Sequence, residues 1–193
     1  MEMKLRSIMG TVVALESRDG VVIAGDSRAI TEGNVTSKDV TRVFDFDGVG
    51  AGAVGDTGNI QEFRRQLKSE LRRSRIEDGE DVEIDKLARI AARHANSADV
   101  DAVVATHDAA GIARLRQVGA EGEVFDSTPI AVGSGAEIAF GRLDPVSSDV
   151  QTEEAKSIAS DTLETVGERD ADGGGEIVVW SLRNADSDSS ESV

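Results

Sequence analysis

The stretch Gly10-Thr-Val-Val-Ala-Leu-Glu-Ser-Arg-Asp-Gly-Val-Val-Ile-Ala-Gly-Asp26 decides how this chain folds. Two apolar, mostly β-branched runs, residues 11–15 and 21–24, flank a polar segment that ends in Asp19-Gly20. Asp-Gly between such runs is a strong hairpin signal. The spacing predicts a loop somewhat longer than the tightest kind.

Outward from the hairpin, strands are expected at residues 42–46, 49–54, 102–106, 113–118, 130–132 and 176–182. Two helices fall between the fourth and fifth of the eight strands. Over residues 58–75, Ile60, Phe63, Leu67 and Leu71 recur at helical spacing, and Ile84, Leu87, Ile90 and Ala91 do so over 84–96. A short helix follows Gly133-Ser-Gly135, carrying Ile138 and Phe140. A longer one starts at Thr152, read as its cap, with Glu153 and Glu154 at the positive end and Ile158, Leu163 and Val166 continuing the apolar stripe. Glycines 173–175 break the chain before the last strand. Strands, two helices, strands, two helices and a strand make an α+β layered fold, not a βαβ repeat.

Acidic residues outnumber basic ones 37 to 21, for a formal charge of −16 spread along the chain. That field argues against nucleic acid and anionic membranes as partners. An acidic surface, few lysines and small apolar side chains resemble proteins of salt-loving archaea. In molar salt the Debye length of ~3 Å screens such self-repulsion. Cysteine is absent, which excludes disulfides and thiolate metal sites. No apolar run reaches the ~18 residues of a membrane span, and a cytoplasmic location is expected. His94 and His107 lie in unrelated segments and read as surface residues, not as a metal pair. Nothing in the sequence implies a cofactor or a metal.

Gly10–Arg28 resembles the opening of proteasome β subunits. Lys38-Asp-Val-Thr-Arg-Val-Phe44, the glycine-rich Gly50-Ala-Gly-Ala-Val-Gly-Asp56, Gly133-Ser-Gly135, Glu168-Arg-Asp170 and Ile177-Val-Val-Trp-Ser181 then follow in that family's order. The resemblance covers residues 10–183. Ten residues precede the first strand, as in the β type; the α type carries an extra N-terminal helix. It implies the N-terminal-nucleophile hydrolase fold: a four-layer αββα sandwich of two stacked antiparallel sheets flanked by helices. Residues 1–10 are then expected to be a short leader or propeptide, 11–183 the domain, and 184–193 a disordered acidic tail. The implied partners are further subunits of the same kind in a ring, with unfolded protein or peptide as substrate if the site is active.

The family's chemistry uses a free N-terminal threonine whose hydroxyl attacks while its own amine serves as base. A lysine held by an aspartate supports it, a glycine N–H stabilises the oxyanion, and a serine and an aspartate brace the amine. Carried across by the resemblance, the candidate catalytic residues are Thr11, Asp26, Arg42, Gly52, Ser134 and Asp170. Two positions depart from the pattern: Arg42 stands where the family has lysine, and Gly173 where it has a second bracing serine. An arginine keeps the charge and can pair bidentately with Asp26, but it cannot give up a proton. The nucleophile's register is also open. Sixteen positions before Asp26, the family spacing, lies Gly10, and Thr11 comes one residue late. Either the Gly10–Thr11 bond is a processing site and the hairpin has lost a residue, or the register is unbroken, Gly10 holds the catalytic position and the subunit is inactive. A third option is hydrolysis of a small amide.

Overall fold

The computed structural model describes residues 9–79 and 81–185; most of the expected leader and of the acidic tail lie outside them. The opening hairpin is formed by β1 (Thr11–Ser17) and β2 (Gly20–Gly25). Its connection is shorter than expected. Ser17 pairs with Gly20, so Arg18 and Asp19 alone make the turn. A further small hairpin, β3 (Ala29–Thr31) with β4 (Asn34–Ser37), has no counterpart among the expected strands; its exposed side chains show no apolar alternation. Next come β5 (Val43–Asp45), β6 (Gly50–Val54), α1 (Thr57–Asp78) and α2 (Ile84–Ala98). They are followed by β7 (Asp101–His107), β8 (Ala113–Val118), β9 (Val124–Phe125), β10 (Ile130–Gly133), α3 (Ala136–Leu143), α4 (Thr152–Arg169) and β11 (Val178–Arg183).

One sheet runs β10-β1-β2-β11 and the other β5-β6-β7-β8-β9, and every pairing is antiparallel. Period-two alternation builds the layers. Val12, Ala14 and Ile23 face Val103, Ala105 and Leu115 of the other sheet. Val13, Leu15 and Val22 face Leu143, Ala159 and Leu163 of α3 and α4. On the far side Phe63, Leu67 and Leu87 of α1 and α2 pack on Ala51, Val104 and Val118. This is the expected four-layer αββα sandwich.

The start of α4 departs from the reading of Thr152 as a cap. Gln151 holds the cap position without a side-chain bond, and Thr152 is already helical. The Thr152 N–H and hydroxyl both donate to Asp19 Oδ1, each at 2.8 Å. The cap therefore comes from the turn of the first hairpin, 133 residues away in sequence. It fastens the helix layer to the sheet that carries the site.

Candidate active site

Asp26 follows the end of β2 and is 2% exposed. Its Oδ1 accepts the Thr11 N–H at 3.2 Å and Arg42 Nε at 2.8 Å, and its Oδ2 accepts the Gly174 N–H at 2.7 Å. Burial pushes its carboxyl above the ordinary aspartate range, against the pull of the Gly174 N–H, the Arg42 charge and the Thr11 N–H. Arg42, just ahead of β5, is 1% exposed. It does not fork onto the carboxylate as expected, because Nη2 donates instead to the Arg28 carbonyl at 2.6 Å. Its Nη1 is buried without a partner among the described residues.

The hairpin register settles where Gly10 and Thr11 point. Pairing runs without interruption from Val12↔Gly25 to Ser17↔Gly20, so no bulge shifts one strand against the other within the ladder. Gly10 lies just ahead of β1. Gly10 faces Arg42: a Cβ built on it would stand 2.2 Å from both Cζ and Nε of that side chain. With φ at +79°, position 10 is also in the left-handed region that favours glycine. Thr11 faces the other way, toward α3 and α4. Its hydroxyl accepts the Gly135 N–H at 3.0 Å, and the residue is 0% exposed.

Around Gly10 the later loops close in. Its N–H donates to the Asp172 carbonyl at 3.1 Å, and its own carbonyl accepts the Ser134 N–H at 3.1 Å. The Ser134 hydroxyl donates to Asp170 Oδ2 at 2.6 Å. Thus Ser134 holds the Gly10 carbonyl and Asp170 holds Ser134, while Arg42 faces the Gly10 α-carbon. Gly52 sits in β6, where a Cβ would meet Val12 Cγ1 at 2.6 Å.

Sequence reasoning misses Gly174 and Arg28. Gly174, at φ +109°, turns its N–H onto Asp26. Arg28 donates to the Gly173 carbonyl at 3.0 Å and offers its own carbonyl to Arg42. The glycine run 173–175 is the available signal, but along the sequence it reads only as a break. Of the histidines, His94 is half-buried with Nδ1 3.1 Å from Gln66 Oε1, and His107 Nε2 meets the Arg183 carbonyl at 2.8 Å. Among the described residues no group of three or more His, Cys, Asp or Glu is placed to hold a metal, and no helix is long and apolar enough to cross a membrane.

Comparison with known proteins gives a family match described as Proteasome subunit over residues 9–182. The chain is 31% identical over 175 residues to a "Proteasome subunit beta" of Halorhabdus utahensis, covering 88% of this chain and 74% of that protein. It is 31% identical over 170 residues to "Proteasome subunit beta 1" of Haloterrigena turkmenica, at 85% and 70% coverage. It is 32% identical over 164 residues to a "Proteasome subunit beta" of Methanosphaera stadtmanae, at 83% and 80%.

Proposed function

The chain belongs to the proteasome subunit family as a β-type core subunit involved in protein degradation, and from that premise we propose that it serves the core without a threonine nucleophile. One observation supports this reading: a Cβ at position 10 would point onto Arg42, while Thr11 turns its hydroxyl to the Gly135 N–H. A glycine there offers no hydroxyl, and a guanidinium does not give up a proton at ordinary pH. Thr11 is held in its strand by a hydroxyl bond to the Gly135 N–H and by its own N–H bond to Asp26. The subunit instead supplies ring architecture in the cytoplasm beside subunits that cleave unfolded chains, with no role for nucleic acid or membrane.

Intact mass of the assembled protein, together with labelling by a threonine-directed covalent inhibitor, tests this reading. No species beginning at Thr11 and no label are expected. A chain starting at Thr11, labelled in wild type but not in Thr11→Ala, overturns it in favour of the active alternative.

A further inference from the structure

A hydrogen-bond chain crosses between α1 and α2 and ends on a titratable side chain, His94. Arg65 holds Glu62 through Nε at 3.0 Å and Nη2 at 2.5 Å. Glu62 Oε1 accepts Gln66 Nε2 at 2.6 Å, and Gln66 Oε1 lies 3.1 Å from His94 Nδ1. The order of these atoms fixes the imidazole tautomer. An ionised carboxylate can only accept, so Gln66 turns its NH2 to Glu62 and its oxygen to His94. That oxygen takes its hydrogen bond from an Nδ1–H. Neutral His94 therefore carries its proton on Nδ1 and leaves Nε2 as a bare acceptor. Nε2 is buried, with no hydrogen-bond partner among the described residues.

The charges that act on the ring are Glu70 and Arg73 from α1 and Arg93 from α2. Glu70 is already shared. Arg73 Nη2 is 2.5 Å from its Oε1, and Arg93 Nη2 is 3.6 Å from the same oxygen. On the sheet side, Arg116 of β8 pairs with Asp85 at the start of α2, and Asp101 of β7 accepts the Ala120 N–H. Glu121 of the β8–β9 turn lines a groove of about 950 Å³ together with Glu70, Arg73 and Arg93. A second proton on His94 would add a charge beside two guanidiniums and create a buried N–H without an acceptor. Relief requires Glu70 to leave Arg73, or the ring to leave Gln66, and the groove gives either movement a way out to solvent. We propose that His94 is a pH-sensitive latch between α1 and α2: neutral, it ties the helices through Gln66; protonated, it loosens them while the sheets stay packed. Burial lowers the ring's affinity for a proton, Glu70 opposes that, and Arg93 and Arg73 add to it. The folded value thus lies below the unfolded 6.5. The latch contributes fully above 6.5, and its contribution is lost as pH falls from there through the lower folded value.

The test follows the imidazole and the helix layer together, in the full chain. Long-range proton–nitrogen NMR spectra report the tautomer and the titration midpoint of each of the two histidines, and His107→Gln assigns them. His94 should show the Nδ1–H form at neutral pH and a midpoint below 6.5. Amide hydrogen exchange, corrected for the intrinsic rate at each pH, should show α1 and α2 losing protection severalfold from neutral pH to pH 5, with β6 and β7 unchanged. His94→Asn keeps an N–H for Gln66 but takes up no proton, so the loss should be absent there. A midpoint at or above 6.5, an Nε2–H form at neutral pH, unchanged protection in wild type, or an equal loss in His94→Asn would each overturn the proposal. The wild-type measurements decide the first three even where the variant does not fold. None of these readouts involves position 10 or Thr11, so failure here is distinct from failure of the nucleophile-free reading.

Discussion

Gly10→Thr places a hydroxyl where the proposed reading puts the family's nucleophile, and its side chain would collide with Arg42. A Cβ at position 10 lies 2.2 Å from the Arg42 guanidinium carbon, so the guanidinium must leave Asp26 Oδ1 and the Arg28 carbonyl. Breaking a buried ion pair costs about 3–5 kcal/mol. Holding a β-branched residue at positive φ adds about 1–2 kcal/mol. The expected loss is about 4–7 kcal/mol, or roughly 10–25 °C in melting temperature for a chain of this size. Arg42→Lys alone keeps the charge near Asp26 and gives up the bond to Arg28, a loss of about 1 kcal/mol. In the double variant the smaller ammonium leaves room at position 10, so the two changes should be non-additive by about 2–3 kcal/mol in the favourable direction. Thermal unfolding of the four proteins in the same molar salt gives the cycle. If Gly10→Thr costs as much in the Arg42→Lys background as in wild type, the two side chains do not compete for one volume, and the argument for a blocked nucleophile seat fails.

Three other expectations concern the supports of the site. Thr11→Val should cost about 1–3 kcal/mol by leaving the buried Gly135 N–H without its acceptor, while Thr11→Ser should be close to wild type; equal stability of the two in urea titration would remove the structural role assigned to the hydroxyl. Asp19→Ala should cost about 0.5–2 kcal/mol at neutral pH, as the loss of a helix cap does. Despite the opposing effect of its partial burial, the Thr152 hydroxyl and N–H hold the Asp19 carboxyl below its ordinary value. Its contribution is therefore present above the unfolded value of 3.8 and fades as pH falls through the lower folded value; a gap to wild type that does not narrow in acid would contradict this. At Gly50 a Cβ would stand 2.3 Å from Trp180 Cζ3. Gly50→Ala should displace the chain's one tryptophan from between the sheets at about 1–3 kcal/mol, seen as a red shift of its emission; unchanged emission would show that the contact yields elsewhere.

The layers were legible because period-two and period-3.6 patterns report directly on burial. Val12 and Val13 are sorted to opposite cores by alternation alone, and Phe63, Leu67 and Leu71 by helical spacing. The β3–β4 hairpin escaped because its residues are mostly exposed and carry no alternation. The cap of α4 escaped for a different reason. Thr152 has the right chemistry for a cap, but its acceptor, Asp19, is remote in sequence, and no local rule reaches across that separation. At the site, Asp26, Arg42, Ser134 and Asp170 could be named from order along the chain. What order could not give was the side on which Gly10 and Thr11 face, because that depends on an unbroken register between β1 and β2.

That distinction bears on what a surviving polar cluster means. Asp26 ties together Thr11, Arg42 and Gly174, from three separate segments of the chain. Removing any one partner would strand a buried charge or a buried N–H, at several kcal/mol for the charge. Such a cluster is held in place by stability whether or not a reaction occurs there, so the presence of Asp26 and of a cation at position 42 says little about activity. The informative residues are those that stability alone would not dictate. As the structure stands, a Cβ at position 10 and the Arg42 guanidinium would occupy one volume. Gly10 and Arg42 are thus one structural statement made twice. The same interlocking keeps the strand, the Asp26 loop and the Gly174 turn in the arrangement on which the sandwich depends.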